Sequence, residues 1–289
     1  MRSNMNIRKL IIWLVVIAVV SLTIAIIAFF STENNMVSFS DRNNFEKISI
    51  DEVKTFNNIG KLKEIYIHSV SSNVSVFSTE EEDVKIHFHG ISAAESEKKL
   101  PELITNIEGS QLKIEIEYPK ALFYNANLFL DVYVPQDYLE NVSIDTVSAD
   151  VDISNLDIKN IQCKTVSGEL RIESLGSDHL ILKTTSGNIN ILDILGDLKI
   201  DSVSGNVNVE YEVFAQDINI KTISGKVKIG LPENAEFYLK TNTVSGEVDT
   251  DFPITIISFG KMNQLEGTVG KEDNKIIVDT VSGNIYLNK

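Results

Sequence analysis

Cysteine is almost absent from this sequence, because the 289 residues contain a single one, Cys163. One cysteine excludes an internal disulfide framework and a cysteine-rich zinc site. No cysteine stands directly after the apolar run near the N-terminus, which also excludes a bacterial lipoprotein anchor. Cys163 alternates with polar residues in the way that buried strand residues do, so we expect a buried and unreactive thiol.

Basic residues are scarce as well, with 26 lysines and arginines against 41 aspartates and glutamates. Three of the basic residues, Arg2, Arg8 and Lys9, precede residue 31 and no acidic residue does, so residues 31–289 carry a net charge of −18. Such a surface repels nucleic acid and anionic lipid, and it attracts cations or basic peptides. It would also keep a β-rich protein soluble. We therefore expect no nucleic-acid partner.

The sequence lacks the common motifs that indicate a bound nucleotide phosphate or a calcium ion. The sequence contains no Gly-x-x-x-x-Gly-Lys-Ser/Thr phosphate loop and no Gly-Gly-x-Gly-x-Asp calcium repeat. We expect no cofactor.

The N-terminal segment predicts a membrane anchor. Leu10 to Phe30 carries no charge, and as a helix it would span about 31 Å, close to the thickness of a bilayer core. A cleaved signal peptide is the alternative, but the apolar run is long for one and no Ala-x-Ala site follows it. The positive-inside rule places residues 1–9 in the cytoplasm and the rest outside. Residues 31–60 are predicted to be an extracytoplasmic tether, and residues 61–289 the folded domain.

A short phrase, Thr-Val-Ser-Gly, recurs through the rest of the chain. It is complete at residues 165–168, 243–246 and 280–283, a distant copy lies at 69–72, and the other copies are near matches. Taking the serine as position 0, the copies are centred on Ser148, Ser167, Ser186, Ser204, Ser224, Ser245 and Ser282. The spacing is about 19 residues except for a last step of 37, which we interpret as two periods with an unmarked copy between. A fixed period predicts a repeat architecture.

Apolar and polar residues alternate on both sides of the phrase. The apolar positions are −6 and −4 before the serine and +3 and +5 after it, so their parity changes within the phrase. Each copy therefore predicts two short strands joined by a corner, with glycine at +1 providing the backbone freedom. The seven serines are predicted to be part of this corner and not nucleophiles, since no histidine recurs beside them.

We predict an all-β fold, a single-handed parallel β-solenoid of about 19-residue coils, preceded by one N-terminal transmembrane helix. A hairpin meander or sandwich is the alternative, but its turns would recur every ~8–12 residues. Stacking from residue 64 onward would give roughly twelve coils and a rod of about 55–60 Å. One helix is predicted, over residues 92–103.

Two groups of residues could carry chemistry. His87 and His89 share one strand face and could hold a metal, but no third ligand is identifiable, and a solvated strand face is the interpretation we favour. Some β-solenoids cleave polysaccharides with clustered acids and arginines, and the candidates here are Asp150, Asp152, Glu169 and Arg171. Asn, Lys and Tyr occupy equivalent positions in other copies, so we predict no catalytic and no metal-binding residues.

The repeated T-V-S-G-x-hydrophobic-x-hydrophobic phrase resembles the bacterial putative-adhesin β-strand-repeat family of unknown function. Val132-Tyr133-Val134-Pro135 and the Gly267-Thr268-Val269-Gly270 step are further points of similarity. The resemblance covers residues 60–289, and with the N-terminal anchor the chain is similar to LiaG-type members, which occur with envelope-stress genes in Gram-positive bacteria. It implies a membrane-anchored β-solenoid at the cell surface.

These observations predict a non-enzymatic extracytoplasmic protein that presents a binding or scaffolding surface at the cell envelope, in adhesion or in the envelope-stress response. Its partners would be the membrane through Leu10 to Phe30, and a cell-wall polymer, an envelope protein or a basic peptide. A carbohydrate-active enzyme acting on wall polysaccharide is the first alternative. A filament that self-assembles through its terminal coils is the second.

Overall fold

The computed structural model of the chain describes residues 46–57, 59–94, 100–119, 126–259 and 264–289. Within them the regular secondary structure is β-strand, apart from one 3-10 turn at Ile59–Lys61. None of the described residues belongs to a helix with the length and apolar character needed to cross a bilayer.

The cytoplasmic segment 1–9, the anchor Leu10 to Phe30 and the first part of the predicted tether lie outside the described residues. The last part of the tether, however, is strand β1, and the folded unit extends from Glu46 to Lys289. It therefore begins upstream of the predicted boundary at residue 61.

The described chain contains twenty-one strands. The first ten are β1 Glu46–Phe56, β2 Glu64–Ser69, β3 Asn73–Thr79, β4 Val84–Ala94, β5 Glu102–Glu108, β6 Gln111–Glu117, β7 Ala126–Pro135, β8 Asn141–Thr146, β9 Val151–Asp157 and β10 Asn160–Ser167. The others are β11 Leu170–Ser186, β12 Ile189–Ser204, β13 Val207–Glu210, β14 Ile218–Ser224, β15 Val227–Gly230, β16 Phe237–Ser245, β17 Val248–Thr250, β18 Thr255–Phe259, β19 Gln264–Val269, β20 Lys275–Ser282 and β21 Ile285–Asn288.

The strands pair into two long ladders. Ladder A contains the strands that precede the phrase, in the spatial order β5, β6, β2, β8, β10, the second half of β11, the second half of β12, β14, β20, β16, β19 and β18. Ladder B contains those that follow it, in the order β1, β4, β7, β3, β9, the first half of β11, the first half of β12, β13, β15, β21 and β17. All pairings between repeat strands are parallel, so the predicted all-β, largely parallel architecture is confirmed.

Successive copies of the phrase lie in register. Thr165 pairs with Thr184 and Ser167 pairs with Ser186. The offset between β11 and β12 changes from 19 to 18 residues at the register shift between Gly176 and His179, which keeps Ser186 paired with Ser204. One strand of each ladder makes one coil, and the described strands form nine coils, a stack about 43 Å long at the usual spacing of about 4.8 Å. The predicted number of roughly twelve is too high, because several strands outside the repeats form antiparallel caps.

The spatial order of the coils differs from their order in the chain at both ends. The coil β2–β3 lies between β6–β7 and β8–β9, although it precedes both in the sequence. At the other end β20–β21 lies between β14–β15 and β16–β17, although it is the last coil in the chain. The unmarked copy predicted between Ser245 and Ser282 is therefore wrong, since that stretch forms β18 and β19.

Antiparallel strands cap the stack. At one end β5 pairs with β6 in ladder A, and β4 and β1 extend ladder B beyond β7. At the other end β19 and β18 extend ladder A beyond β16. The predicted helix over residues 92–103 is wrong at both of its ends, since β4 continues to Ala94 and β5 begins at Glu102. Residues 95–99 lie outside the described residues.

The core follows the predicted parity. The apolar residues at −6, −4, +3 and +5 point into the stack, and Ile161, Cys163, Ile189 and Ile220 have no exposed surface. The interior is thus a column of aliphatic side chains contributed equally by both ladders, which is the dominant stabilising term for a fold of this kind.

The phrase forms the first corner of each coil, where the glycines stack on one another. A Cβ added to Gly168, Gly187, Gly205, Gly225, Gly283 or Gly246 would lie within 3.0 Å of a backbone oxygen of the neighbouring coil. The neighbour of Gly283 is Gly225 and that of Gly246 is Gly283, so the glycines follow the spatial order and not the chain order. Gly225 also has φ of +130°, which L side chains rarely adopt.

A second corner follows at position +7. Asn155, Ser174 and Asp193 occupy it in three consecutive coils, each with φ between 51° and 54°. Small polar residues tolerate this left-handed conformation better than other non-glycine residues do. The turn directs Leu156, Leu175 and their equivalents back into the core.

Candidate functional site

The valine of the phrase faces solvent in coil after coil. Its threonine is buried at the corner, while Val147, Val166, Val203 and Val244 keep between 36% and 56% of their surface exposed. Equivalent residues are Val70 at 40% exposure, the exposed Thr185, and the half-buried Ile223 and Val281. We call this row the valine stripe. It crosses eight neighbouring coils along one edge of the stack.

The phrase serines lie beside the valine stripe and are exposed at their side chains. Their backbones belong to the stacking, since Ser148 and Ser167 donate N–H hydrogen bonds of 2.7 and 2.8 Å to carbonyls of the preceding coil. The edge of the stack therefore presents an apolar row and a hydroxyl row side by side, repeated at the coil spacing of about 4.8 Å.

The acidic candidates do come together on the outer face of ladder B. The guanidinium of Arg171 contacts the carboxylates of Glu169 and, at 3.5 Å, Asp152. Glu169 also accepts a hydrogen bond of 2.6 Å from the Asn190 amide. These groups thus satisfy one another at partly exposed positions.

Asp150 has a structural role at position +2. Its carboxylate accepts the backbone N–H of Glu169 at 2.8 Å. In four other coils the side-chain oxygen of an asparagine at the same position accepts a backbone N–H of the neighbouring coil, at 3.0 to 3.2 Å. These residues are Asn73, Asn188, Asn206 and Asn284. We call this series the amide ladder. It satisfies the backbone donor that follows the corner residue, which is glycine in four of the five cases and Ala149 in the other.

The amide ladder predicts that two substitutions of Asp150 will differ in their effect on the free energy of unfolding. Alanine would leave the Glu169 N–H without its acceptor, so Asp150→Ala should lower the free energy of unfolding by about 1–2 kcal/mol. Asparagine already makes this bond elsewhere, so Asp150→Asn should stay within about 0.5 kcal/mol of the parent. Urea unfolding followed by circular dichroism measures both. Equal destabilisation by the two variants would contradict the assignment.

His87 and His89 lie on the outer face of β4, as the alternation in the sequence predicts. Their rings stack with centroids 4.3 Å apart. The neighbouring strands supply carboxylates that the sequence did not reveal: His87 Nε2 lies 2.7 Å from Asp51 Oδ1, and His89 Nε2 lies 3.0 Å from Asp131 Oδ2. We call these four residues the His–Asp cluster.

Cys163 is fully buried, as predicted. Burial raises the pKa of its thiol to about 12, with a smaller contribution from the charge of Asp145. The thiolate is therefore strongly disfavoured at neutral pH, which leaves Cys163 without the reactivity of a catalytic or redox cysteine.

Two features of the surface were missed from the sequence, and each had a partial signal. The valine stripe could have been predicted from the phrase, because the residue that follows a buried threonine in a strand points outward. Asp131 sits between Leu130 and Val132, so its outward orientation was readable. Its proximity to His89 was not, because the antiparallel register of β4 on β7 joins residues far apart in the chain.

Solved structures that match this chain have low sequence identity to it. A putative cell adhesion protein from Clostridium sporogenes is 13% identical, with a TM-score of 0.43, covering 83% of this chain and 99% of its own. A putative adhesin from Bacteroides fragilis is 14% identical, with a TM-score of 0.43 and coverages of 84% and 97%. A putative lipid binding protein from Parabacteroides distasonis is 14% identical, with a TM-score of 0.36 and coverages of 84% and 97%.

No curated protein matches the sequence closely enough to be counted as a relative. The sequence does match a family, in two overlapping stretches, residues 62–171 and 138–288. Together they span all nine coils from β2 to β21, and the overlap is expected of a repeat whose copies can be aligned in more than one register. The chain belongs to the Toastrack DUF4097 family.

Proposed function

We propose that this protein is a membrane-anchored, extracytoplasmic β-solenoid of a single hand that presents a binding surface at the bacterial cell envelope, as LiaG-type proteins would. The proposal combines the apolar run Leu10 to Phe30 with an acidic repeat domain. Adhesion and the envelope-stress response are the settings it suits. A reporter enzyme fused after Lys289 should then be active outside the cell, and activity confined to the cytoplasm would refute this topology.

The observation that supports the binding role is the valine stripe. Single exposed apolar residues are ordinary, but exposed apolar residues that recur in a row are typical of an interaction site, and in this row Thr185 is the single polar member. Five copies of the phrase, the distant copy at Val70 included, keep valine at this position with more than a third of its surface exposed. Thr185 takes the same position in the stack, so a polar residue is compatible with the corner and valine is not required for folding.

The charge of the protein favours a basic partner. Residues 31–289 carry a net charge of −18, and three coils place a carboxylate three residues beyond the stripe, at Asp150, Glu169 and Glu247. Opposite charge steers association and suppresses acidic partners. Among the candidate partners, a basic segment of another envelope protein therefore fits this edge better than an anionic wall polymer or an anionic membrane.

We propose that the protein is not an enzyme. The support is that Asp152, Glu169 and Arg171 bind one another and that Asp150 holds the backbone of the next coil. Polysaccharide cleavage needs a general acid and a second carboxylate free to act on the substrate. Filament formation through ladder A is also disfavoured, since antiparallel strands cover both of its ends, whereas among the described strands β17 at the end of ladder B pairs with β21 alone.

Replacing the exposed valines tests the binding role. The variant Val147→Thr/Val166→Thr/Val203→Thr/Val244→Thr removes apolar surface and keeps β-branched shape. As a probe we suggest a fluorescent peptide of alternating lysine and valine, with fluorescence anisotropy as the readout. The parent should bind it, and the variant should bind it at least about tenfold more weakly. A tenfold change corresponds to about 1.4 kcal/mol, and the loss of two of the four methyl groups from the interface already exceeds that at about 0.8 kcal/mol each.

Three controls make this test specific. The melting temperature of the variant should equal that of the parent, because threonine at position 185 already occupies this row. A peptide of alternating glutamate and valine should not bind, since its charge has the wrong sign. Equal binding of the two peptides, or undiminished binding by the variant, would contradict the proposal. Binding to purified wall sacculi without binding to the lysine peptide would do so as well.

A further inference from the structure

We propose that His87, His89, Asp131 and Asp51 form a binding site for one divalent transition-metal ion, of the kind that Zn²⁺ represents. The site lies on the outer face of ladder B at its capped end, away from the valine stripe. It is independent of the binding role proposed above.

Three adjacent strands position the ligands. His87 and His89 alternate with the fully buried Ile86 and Phe88 on β4, so both imidazoles point outward from a strand held by the core. In the antiparallel pairing with β7, Asp131 stands directly opposite His87. In the pairing with β1, Asp51 stands directly opposite His89. The backbone of the sheet therefore fixes all four positions.

The distances suit one ion. The ligand atoms of His87, His89 and Asp131 all lie within 4.8 Å of one another. Ligands at 2.0–2.1 Å from a tetrahedral zinc are about 3.4 Å apart, so small side-chain rotations close the site. Each imidazole Nε2 already faces a carboxylate oxygen, at 2.7 Å for Asp51 and 3.0 Å for Asp131. An ion bound here would be coordinated by the Nε2 lone pair of each imidazole, with the ring proton on Nδ1.

Neighbouring side chains already restrict the conformations of His87, His89 and Asp131 before an ion binds. The ring of His89 stacks on Phe129 with centroids 5.5 Å apart and an interplanar angle of 21°. The Asp131 side chain retains 19% of its exposure, and the His87 and His89 side chains retain 29% and 33%. Partly buried and stacked ligands lose less rotamer entropy on binding than free surface side chains do. Asp51, at 78% exposure, is the outermost of the four, and it faces the other ligands through its 2.7 Å contact with His87.

The combination of imidazole and carboxylate ligands favours divalent transition metals over Ca²⁺ and Mg²⁺. Imidazole nitrogen suits Zn²⁺, Ni²⁺, Co²⁺ and Cu²⁺, and carboxylates complete such sites. Ca²⁺ and Mg²⁺ prefer an all-oxygen environment and are expected to bind poorly here. A bound ion would connect β1 to β4 and β7, and would thus fasten the first strand of the folded unit to the rest of ladder B. A zinc ion with four protein ligands has no open coordination position, so the site would act as a structural clamp on the cap.

Calorimetric titration of the untagged full-length chain in mild detergent with ZnCl2 tests the proposal. We expect one ion per chain and a higher melting temperature in its presence, because a ligand that binds the folded state stabilises it. His87→Gln, His89→Gln and Asp131→Asn should each weaken binding by about a hundredfold. Titration with CoCl2 should give the visible absorption of a tetrahedral site, which these variants should lack.

The chain contains four histidines, and the other two serve as matched controls. His68 lies on ladder A, and His179 is an exposed residue 3.6 Å from Asp197. His68→Gln and His179→Gln should bind Zn²⁺ as the parent does. The far-ultraviolet circular dichroism of all variants should be unchanged, because each substituted side chain is outside the core. Absence of Zn²⁺ binding by the parent, or undiminished binding by the double variant His87→Gln/His89→Gln, would overturn the proposal.

Discussion

Replacing Gly225 by valine is expected to destabilise the protein by about 4 kcal/mol or more, enough to prevent accumulation of folded chain. Its Cβ would lie within 3.0 Å of the carbonyl oxygen and 2.8 Å of the carbonyl carbon of Gly205. Those atoms belong to the backbone of the next coil and cannot rotate away. The backbone at Gly225 also has φ of +130°, which adds strain for any L side chain. Urea unfolding or thermal melting measures the loss.

Gly60 provides the matched control for this prediction. A Cβ at Gly60 meets nothing within 4 Å, and its φ is not in the strained region. Gly225→Ala and Gly60→Ala add the same single carbon, so alanine at 225 should cost several kcal/mol and alanine at 60 should change stability by about 0.5 kcal/mol or less. Similar melting temperatures for the two alanine variants would refute the role of the phrase as a close-packed corner.

Removing residues 275–289 is expected to abolish the cooperative unfolding transition of the C-terminal coils. These residues form β20 and β21, which lie between β14–β15 on one side and β16–β17 on the other. Their loss would open a gap inside the stack and leave unpaired strand edges on both of its sides. Trimming the last coil of a stack built in chain order would expose one edge alone, so the remainder would still melt cooperatively.

A synthetic peptide of residues 275–289 supplies the control. Added to the shortened chain, it should insert as β20 and β21 and restore the cooperative transition, since a missing strand can be supplied in trans. The same peptide with Val278→Asp should fail, because Val278 is fully buried and an aspartate there would bury a charge without a partner. Differential scanning calorimetry distinguishes these results. A shortened chain that melts like the parent would contradict the inserted position of β20.

Much of the fold could be predicted from the repeat. The parity of the apolar residues around Ser167 and its equivalents placed two strands and a corner in each coil, and the structure confirms the alternation. The second corner at Asn155, Ser174 and Asp193 could have been found in the same way, because small polar residues recur there at the repeat spacing. Local patterns of this kind are readable since each strand is buried on one face alone.

The order of the coils could not be predicted, because parallel ladders of similar strands are compatible with several orders. The observed order places side chains of complementary polarity in neighbouring coils. Asp279 pairs with Lys221 on one side and accepts a 2.7 Å hydrogen bond from Asn242 on the other. Stacking in chain order would have set Lys221 directly against Asn242. The order at this end therefore depends on the hairpin β18–β19. The chain forms the coil β16–β17 and this hairpin first, and then returns to place β20–β21 between β14–β15 and β16–β17.

Taken alone, the sequence determined the repeat, the inward and outward faces, the burial of Cys163 and the acidic surface, because each of these depends on residues close together in the chain. The tertiary structure decided which coils are neighbours, that the ends are capped by antiparallel strands, and that Asp51 and Asp131 meet the two histidines. Strand register brings together residues that lie 36 and 42 positions apart in these pairs. No local pattern encodes such a contact, since the hydrogen bonds that set the register are made by backbone groups common to every residue.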